Sequence, residues 1–192
     1  MNLEALGIDP KWAEPLQQTF DKYSLNTALR QAAFIGQCQH ESNNFRTLEE
    51  NLHYSADGLM RTWSSRFPSR DVAEQFAQNP EKIANKVYAG RMGNTEEGDG
   101  WAYHGRGLIQ LTGRDNYRNC GDALGLALIT NPELLAIPKG AALSAGWFWN
   151  KHGLNDLADA RDYEIMTKRI NGGTLGLDDR IAKINKALEI LG

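Results

Sequence analysis

Glu41 is the residue of this chain best placed to do chemistry. It ends a run, Ala28 to Glu41, whose early apolar residues at 28, 29, 32, 33 and 35 follow the spacing of an amphipathic helix, and the polar turn Ser42-Asn43-Asn44 comes directly after it. A carboxyl in the last turn of a helix meets the negative end of the backbone dipole, and apolar packing around it also disfavours the ionised form. Both influences favour an acid that keeps its proton, so Glu41 reads as a general acid. Cleaving a glycosidic bond with such a donor needs a second, ionised carboxylate that activates water or attacks the sugar. Glu49, Glu50, Glu96 and Glu97 compete for that role on residue type alone.

Other chemistries lack their residues. The four histidines, His40, His53, His104 and His152, form no metal-ligand spacing, and His40-Glu41 is not followed by the second histidine of H-E-x-x-H, so neither a metal nor a cofactor is expected. No G-x-S-x-G elbow marks a serine nucleophile, and Gly105-Arg106-Gly107 lacks the lysine of a phosphate loop. Cys38 and Cys120 have no C-x-x-C spacing; Cys38 falls inside an apolar helical pattern and reads as a buried free thiol. A net charge of -3 supplies no field to hold nucleic acid. Neither a signal-peptide pattern nor a stretch of about 20 apolar residues is present, so synthesis in the cytoplasm is expected.

The elements that must position Glu41 are helices. Residues 10 to 23 place Trp12, Leu16, Phe20 and Tyr23 on one face, with Pro10 at an opening position, and Ser24 to Thr27 offers a cap for the helix that carries Glu41. Residues 45 to 54 have no clear periodicity. Further helices are predicted over Ser55 to Trp63, Asp71 to Ala77, Glu81 to Tyr88, Asn116 to Leu124, Lys139 to Lys151, Tyr163 to Ile170 and Leu177 to Leu191. Between them, residues 90 to 107 hold six glycines in eighteen positions, which predicts irregular backbone, leading into a helix capped near Thr112. No repeat or linker divides the chain, so one mostly α-helical domain over 1–192 is expected.

These segments together resemble glycoside hydrolase family 19, the chitinase-like family, and most closely its bacteriophage endolysin branch. The resemblance rests on Gln39-His40-Glu41-Ser42, on Leu48-Glu49-Glu50-Asn51-Leu52-His53-Tyr54-Ser55, on Gly100-Trp101-Ala102-Tyr103-His104-Gly105-Arg106-Gly107-Leu108-Ile109-Gln110-Leu111-Thr112-Gly113, and on Ile170-Asn171-Gly172-Gly173 with Arg180. It implies an all-α, lysozyme-like fold of two lobes with a central glycan-binding cleft. It also implies an inverting mechanism with Glu41 as acid, Glu50 as base and the Thr112 hydroxyl holding the attacking water. Tyr103, Gln110, Asn116 and Asn171 match sugar-cleft positions, and Arg180 matches one that supports the catalytic network. Where plant members carry a tyrosine just after the hydroxyl segment, this chain has Asp115.

In that branch the substrate is the glycan strand of peptidoglycan, cut at β-1,4 bonds by a monomer. Its place of action is the wall, in the periplasm, reached after a separate pore-forming protein opens the membrane, with no obligate membrane partner of its own. Two alternatives stand beside this reading. One is a chitinase using the same residues, and the other is a wall-binding module that has lost catalysis.

Overall fold

A computed structural model describes all residues 1–192. Two short 3-10 helices, Glu4–Leu6 and Pro10–Trp12, lead into α1 (Ala13–Lys22) and then α2 (Ala28–Glu41), which Thr27 caps by accepting the Arg30 N–H at 3.2 Å. Three helices follow: α3 (Ala56–Thr62), which Ser55 caps by accepting the Gly58 N–H at 3.1 Å, α4 (Arg70–Glu74) and α5 (Pro80–Val87). The rest is α6 (Asp99–Ala102), α7 (Arg114–Leu124), a 3-10 turn Pro132–Ala136, α8 (Pro138–Lys151), α9 (Leu154–Asp159), α10 (Tyr163–Asn171) and α11 (Leu177–Leu191). No helix is long and apolar enough to cross a membrane.

Several elements depart from the periodicity reading. The glycine-rich stretch contains one helical turn, α6, because Gly100 lies against the α5 backbone, where a Cβ would stand 2.7 Å from the Asn85 Cα. The next helix starts at Arg114 with Gly113 as its first flanking residue and no side-chain cap; the Thr112 hydroxyl instead donates to the Gln110 carbonyl at 3.0 Å. Helix α9, which had no sequence signal, buries Leu154 and Ala158. Predicted and observed ends of the remaining helices differ by up to three residues, within the fraying that helix termini show.

Packing divides the chain into the two lobes of a lysozyme-like fold. The larger core gathers buried residues of α1, α2, α8 and α11 around Phe20, Phe34 and Trp149, whose rings meet edge to face at 5.7 and 5.3 Å. The smaller core joins Leu52, Leu59, Phe67, Ile83 and Val87 of the α3 to α5 region. Cys38 and Cys120 are buried free thiols.

Helices α2 and α11 cross at Gly36, where an added Cβ would lie 2.5 to 2.9 Å from Ile184 side-chain and backbone atoms. Only glycine allows that approach, and the approach brings the end of α2 beside the start of α11.

Candidate active site

Two chain ends meet at Glu41. Arg180, in the first turns of α11, is 1% exposed. Its fork donates to the Glu41 carboxylate, to Gln37 Oε1 at 2.6 Å and to the Leu175 carbonyl at 3.2 Å. One position earlier on each helix, His40 Nδ1 stands 2.6 Å from Asp179 Oδ2, and the His40 ring covers Gly176, where any Cβ would collide with it. The α2 terminus is therefore held by two successive polar pairs. Periodicity placed only a dipole and apolar packing around Glu41, and the family resemblance alone brought Arg180 into the catalytic network; the direct contact across 139 residues comes from the fold.

The turn after Glu41 is tightly wound. Ser42 Oγ donates to the Cys38 carbonyl at 2.6 Å and accepts the Phe45 N–H at 2.9 Å, while Asn43, Asn44 and Phe45 all have positive φ (49°, 56° and 64°). The chain then extends. Glu49 and Leu111 each form an isolated antiparallel bridge to Arg106, and the Glu50 backbone N–H donates to the Gly105 carbonyl at 2.9 Å.

Extended backbone sends neighbouring side chains to opposite faces, and that separates the two adjacent carboxylates. Glu49 accepts from Arg106 Nε at 2.8 Å, and Arg106 also reaches the Ala102 carbonyl and the Tyr117 hydroxyl at 2.7 and 3.1 Å. Glu49 thus neutralises a buried guanidinium. Glu50 turns the other way, taking the Gly105 N–H and the Tyr88 hydroxyl at 2.7 Å each. Burial above all, then the negative charge of Glu50, pushes the Tyr88 phenol well above its usual pKa, so it stays a donor to that carboxylate.

Gly105 is where the distant segments converge. A Cβ built on it would lie 3.1 Å from Gln110 Oε1, 3.2 Å from Thr112 Oγ1 and 3.3 Å from Glu50 Cδ. The absence of that carbon leaves room for the carboxylate, hydroxyl and amide to share one small space. Gln110 is held there with φ of 53° and donates to the Gly107 carbonyl at 3.1 Å. The Thr112 hydroxyl spends its proton on Gln110 and keeps its oxygen lone pairs as acceptors.

Beside Thr112 opens a groove of about 390 Å³, lined by Gln110, Thr112, Asn116, Trp147, Phe148 and Lys151 among others. Asn116 is anchored by donating to the Thr112 carbonyl at 2.9 Å. Asn171 is exposed at the end of α10. Tyr103 is different: it is 5% exposed, packs edge to face on Tyr117 and donates its hydroxyl to the Ile129 carbonyl at 3.0 Å, so its side chain braces the wall from within. Glu96 and Glu97 make no side-chain hydrogen bond or ion pair. Asp115 faces Gly93, which has no room for a side chain there. Sequence reasoning passed over Tyr88, Trp147 and Lys151, which it read only as parts of helices, and it read Gly105 only as part of a glycine-rich wall.

His104 supports the same wall. It is 2% exposed, stacks on Trp101 at 4.3 Å and donates Nδ1–H to the Trp101 carbonyl at 2.5 Å. Burial, with Arg106 adding to it, holds its pKa below the ordinary 6.5. The Glu49 carboxylate 3.7 Å from Nε2 acts oppositely, but it is half exposed and already engaged by Arg106. Unfolding frees the ring to take a proton near pH 6.5, so below that value the unfolded state binds more protons and stability falls as pH falls. Melting temperatures measured down through this window should drop, and less steeply in His104→Asn, which keeps a donor for Trp101 but cannot titrate.

A family model described as class I chitinase matches residues 19–162 of this chain. The chain belongs to glycoside hydrolase family 19. A Haemophilus influenzae protein named as containing a glycosyl hydrolase family 19 domain is 39% identical over 180 residues, covering 92% of this chain and 87% of its own length. An Arabidopsis thaliana endochitinase is 32% identical over 158 residues, and the match spans 81% of this chain but 44% of the plant sequence. Among solved structures, chitinase C of Streptomyces griseus superposes with a TM-score of 0.62 over 93% of this chain and 83% of its own, at 21% identity. That likeness extends to the fold. This family 19 member is a glycoside hydrolase, mostly helical and chitinase-like in architecture.

Proposed function

We propose that this family 19 hydrolase cuts β-1,4 bonds of the peptidoglycan glycan strand with inversion, as an endolysin. Glu41 gives its proton to the glycosidic oxygen, Glu50 takes a proton from water, and Thr112 holds that water through its free lone pairs. The observation that carries this reading is the meeting of Glu50, Thr112 and Gln110 around the missing side chain of Gly105. A base needs a hydrogen-bond acceptor beside it to fix the water's second hydrogen, and Thr112 Oγ1 is that acceptor. Arg180 steadies Glu41 and carries positive charge to the acid once its proton has gone. Gln110, Asn116 and Asn171 bind sugar hydroxyls and amides, while Tyr103 acts by bracing the wall.

Peptidoglycan as the polymer is supported by the nine-residue spacing of Glu41 and Glu50, in which the chain resembles the endolysin branch. In this role the monomeric enzyme reaches the wall from the host cytoplasm through a pore made by another protein. Chitin is the second reading, favoured by the plant relatives' naming as endochitinases.

Digestion of purified sacculi and of chitin hexamer in parallel, with products read by mass spectrometry and the first anomer by NMR, tests both. The expected result is new reducing ends on amino sugars with peptides still attached, formed first as the inverted anomer. Chitin cleaved as efficiently as sacculi would select the second reading, and release of free peptides from uncut glycan would exclude both.

A further inference from the structure

A second concavity, about 710 Å³, does not contain the carboxyls Glu41 and Glu50. It lies between the N-terminal segment and the loop that follows Glu41, with buried Trp12 and Phe45 edge to face at 5.0 Å beneath it. Its shape depends on the left-handed run Asn43, Asn44 and Phe45, a conformation that side-chain-bearing residues rarely adopt. The same loop connects the proposed acid to the proposed base, so a ligand seated here touches the segment between them.

The charges of the groove describe its ligand. Asp9 and Lys11 answer each other, by an ion pair at 3.4 Å and the Lys11 N–H on the Asp9 carboxylate at 2.9 Å. Glu4 and Arg46, both exposed, enter no ion pair. The N-terminal wall thus offers a free carboxylate and the catalytic-loop wall a free guanidinium, and Asn44 also lines the groove. An uncharged sugar chain has nothing for either charge. A short peptide carrying both carboxylates and an ammonium has a partner for each.

We propose that this groove holds the peptide stem attached to the wall glycan, with Arg46 meeting a stem carboxylate and Glu4 the ammonium of its diamino residue. The inference rests on the peptidoglycan reading above. Binding energy from this non-reacting part of the substrate is then available to the chemical step through the Asn43–Phe45 loop.

The test compares kcat/KM on intact glycan strands with that on strands stripped of peptide by an amidase, for wild type, Glu4→Lys and Arg46→Glu. The ratio within each protein cancels any loss of active enzyme. Wild type should prefer intact strands, each charge reversal should lower the preference about tenfold, and binding of a synthetic stem tetrapeptide, followed by calorimetry, should weaken in step. Equal rates on both substrates in the wild type, or an unchanged preference in both variants, would overturn the stem site while leaving glycan cleavage in place. Cleavage of neither substrate removes the peptidoglycan reading and the stem site together.

Discussion

Glu41→Gln should lower kcat on the glycan substrate by roughly 10²–10⁴-fold while the protein stays folded. The amide keeps the volume of the side chain and an oxygen to accept from the Arg180 guanidinium, so the helix end is still tied to α11. What is lost is the proton. Glu50→Gln should give a loss of the same order for the complementary reason, since an amide cannot take the proton of water. Glu49→Gln separates the two neighbours: it weakens the Arg106 cluster and should act mainly on stability. Steady-state kinetics with a melting curve for each variant provides the check. Full activity in Glu41→Gln would show that the donor lies elsewhere, and a larger kinetic defect in Glu49→Gln than in Glu50→Gln would exchange the two roles.

The second large effect is expected at Arg180, which no conservative exchange can replace. Arg180→Ala leaves the Glu41 carboxylate without its counter-charge and the buried Gln37 oxygen without a donor. Breaking a buried pair in this way costs about 3 kcal/mol, the lower end of the usual range because Glu41 keeps some contact with solvent. Arg180→Lys retains charge but has a single point of donation for acceptors that three guanidinium nitrogens now reach, so it should recover only part of the stability and little of the rate. Denaturant midpoints of Arg180→Ala, Glu41→Ala and the double variant measure the coupling. Strictly additive losses would contradict a direct Arg180–Glu41 interaction.

Most of the helical frame was legible because helices are local. Trp12, Leu16 and Phe20 sit in the core where their periodicity put them, and Thr27 and Ser55 cap as their side chains allow. The misplaced elements share one cause, a tertiary contact that outweighs a local preference. Glycine-rich backbone around Gly100 became a helical turn against α5, and Gly113 took the flanking position of α7 that Thr112 suits by type. Tyr103 illustrates the same limit at the site. The family resemblance matched it to a sugar-cleft position, yet its hydroxyl found a carbonyl inside the wall.

The chain's amino acids by themselves determined the chemistry on offer: a carboxyl at the end of an apolar helix, a second cluster of carboxylates nine residues on, a glycine-rich wall and no metal or nucleophile pattern. Residue type alone could not rank Glu49 against Glu50, since adjacent residues of one type differ only in the face they turn to, and only the family resemblance named Glu50. The tertiary structure sets their different surroundings by pairing the segment with residues 105 to 112, which gives Glu49 to Arg106 and Glu50 to Tyr88, Gly105 and the neighbourhood of Thr112. It also brought Arg180 to Glu41 across the whole chain, through a helix crossing that only Gly36 permits. Acid and base types are set by covalent chemistry, whereas their partners are set by which distant surfaces the core forces together.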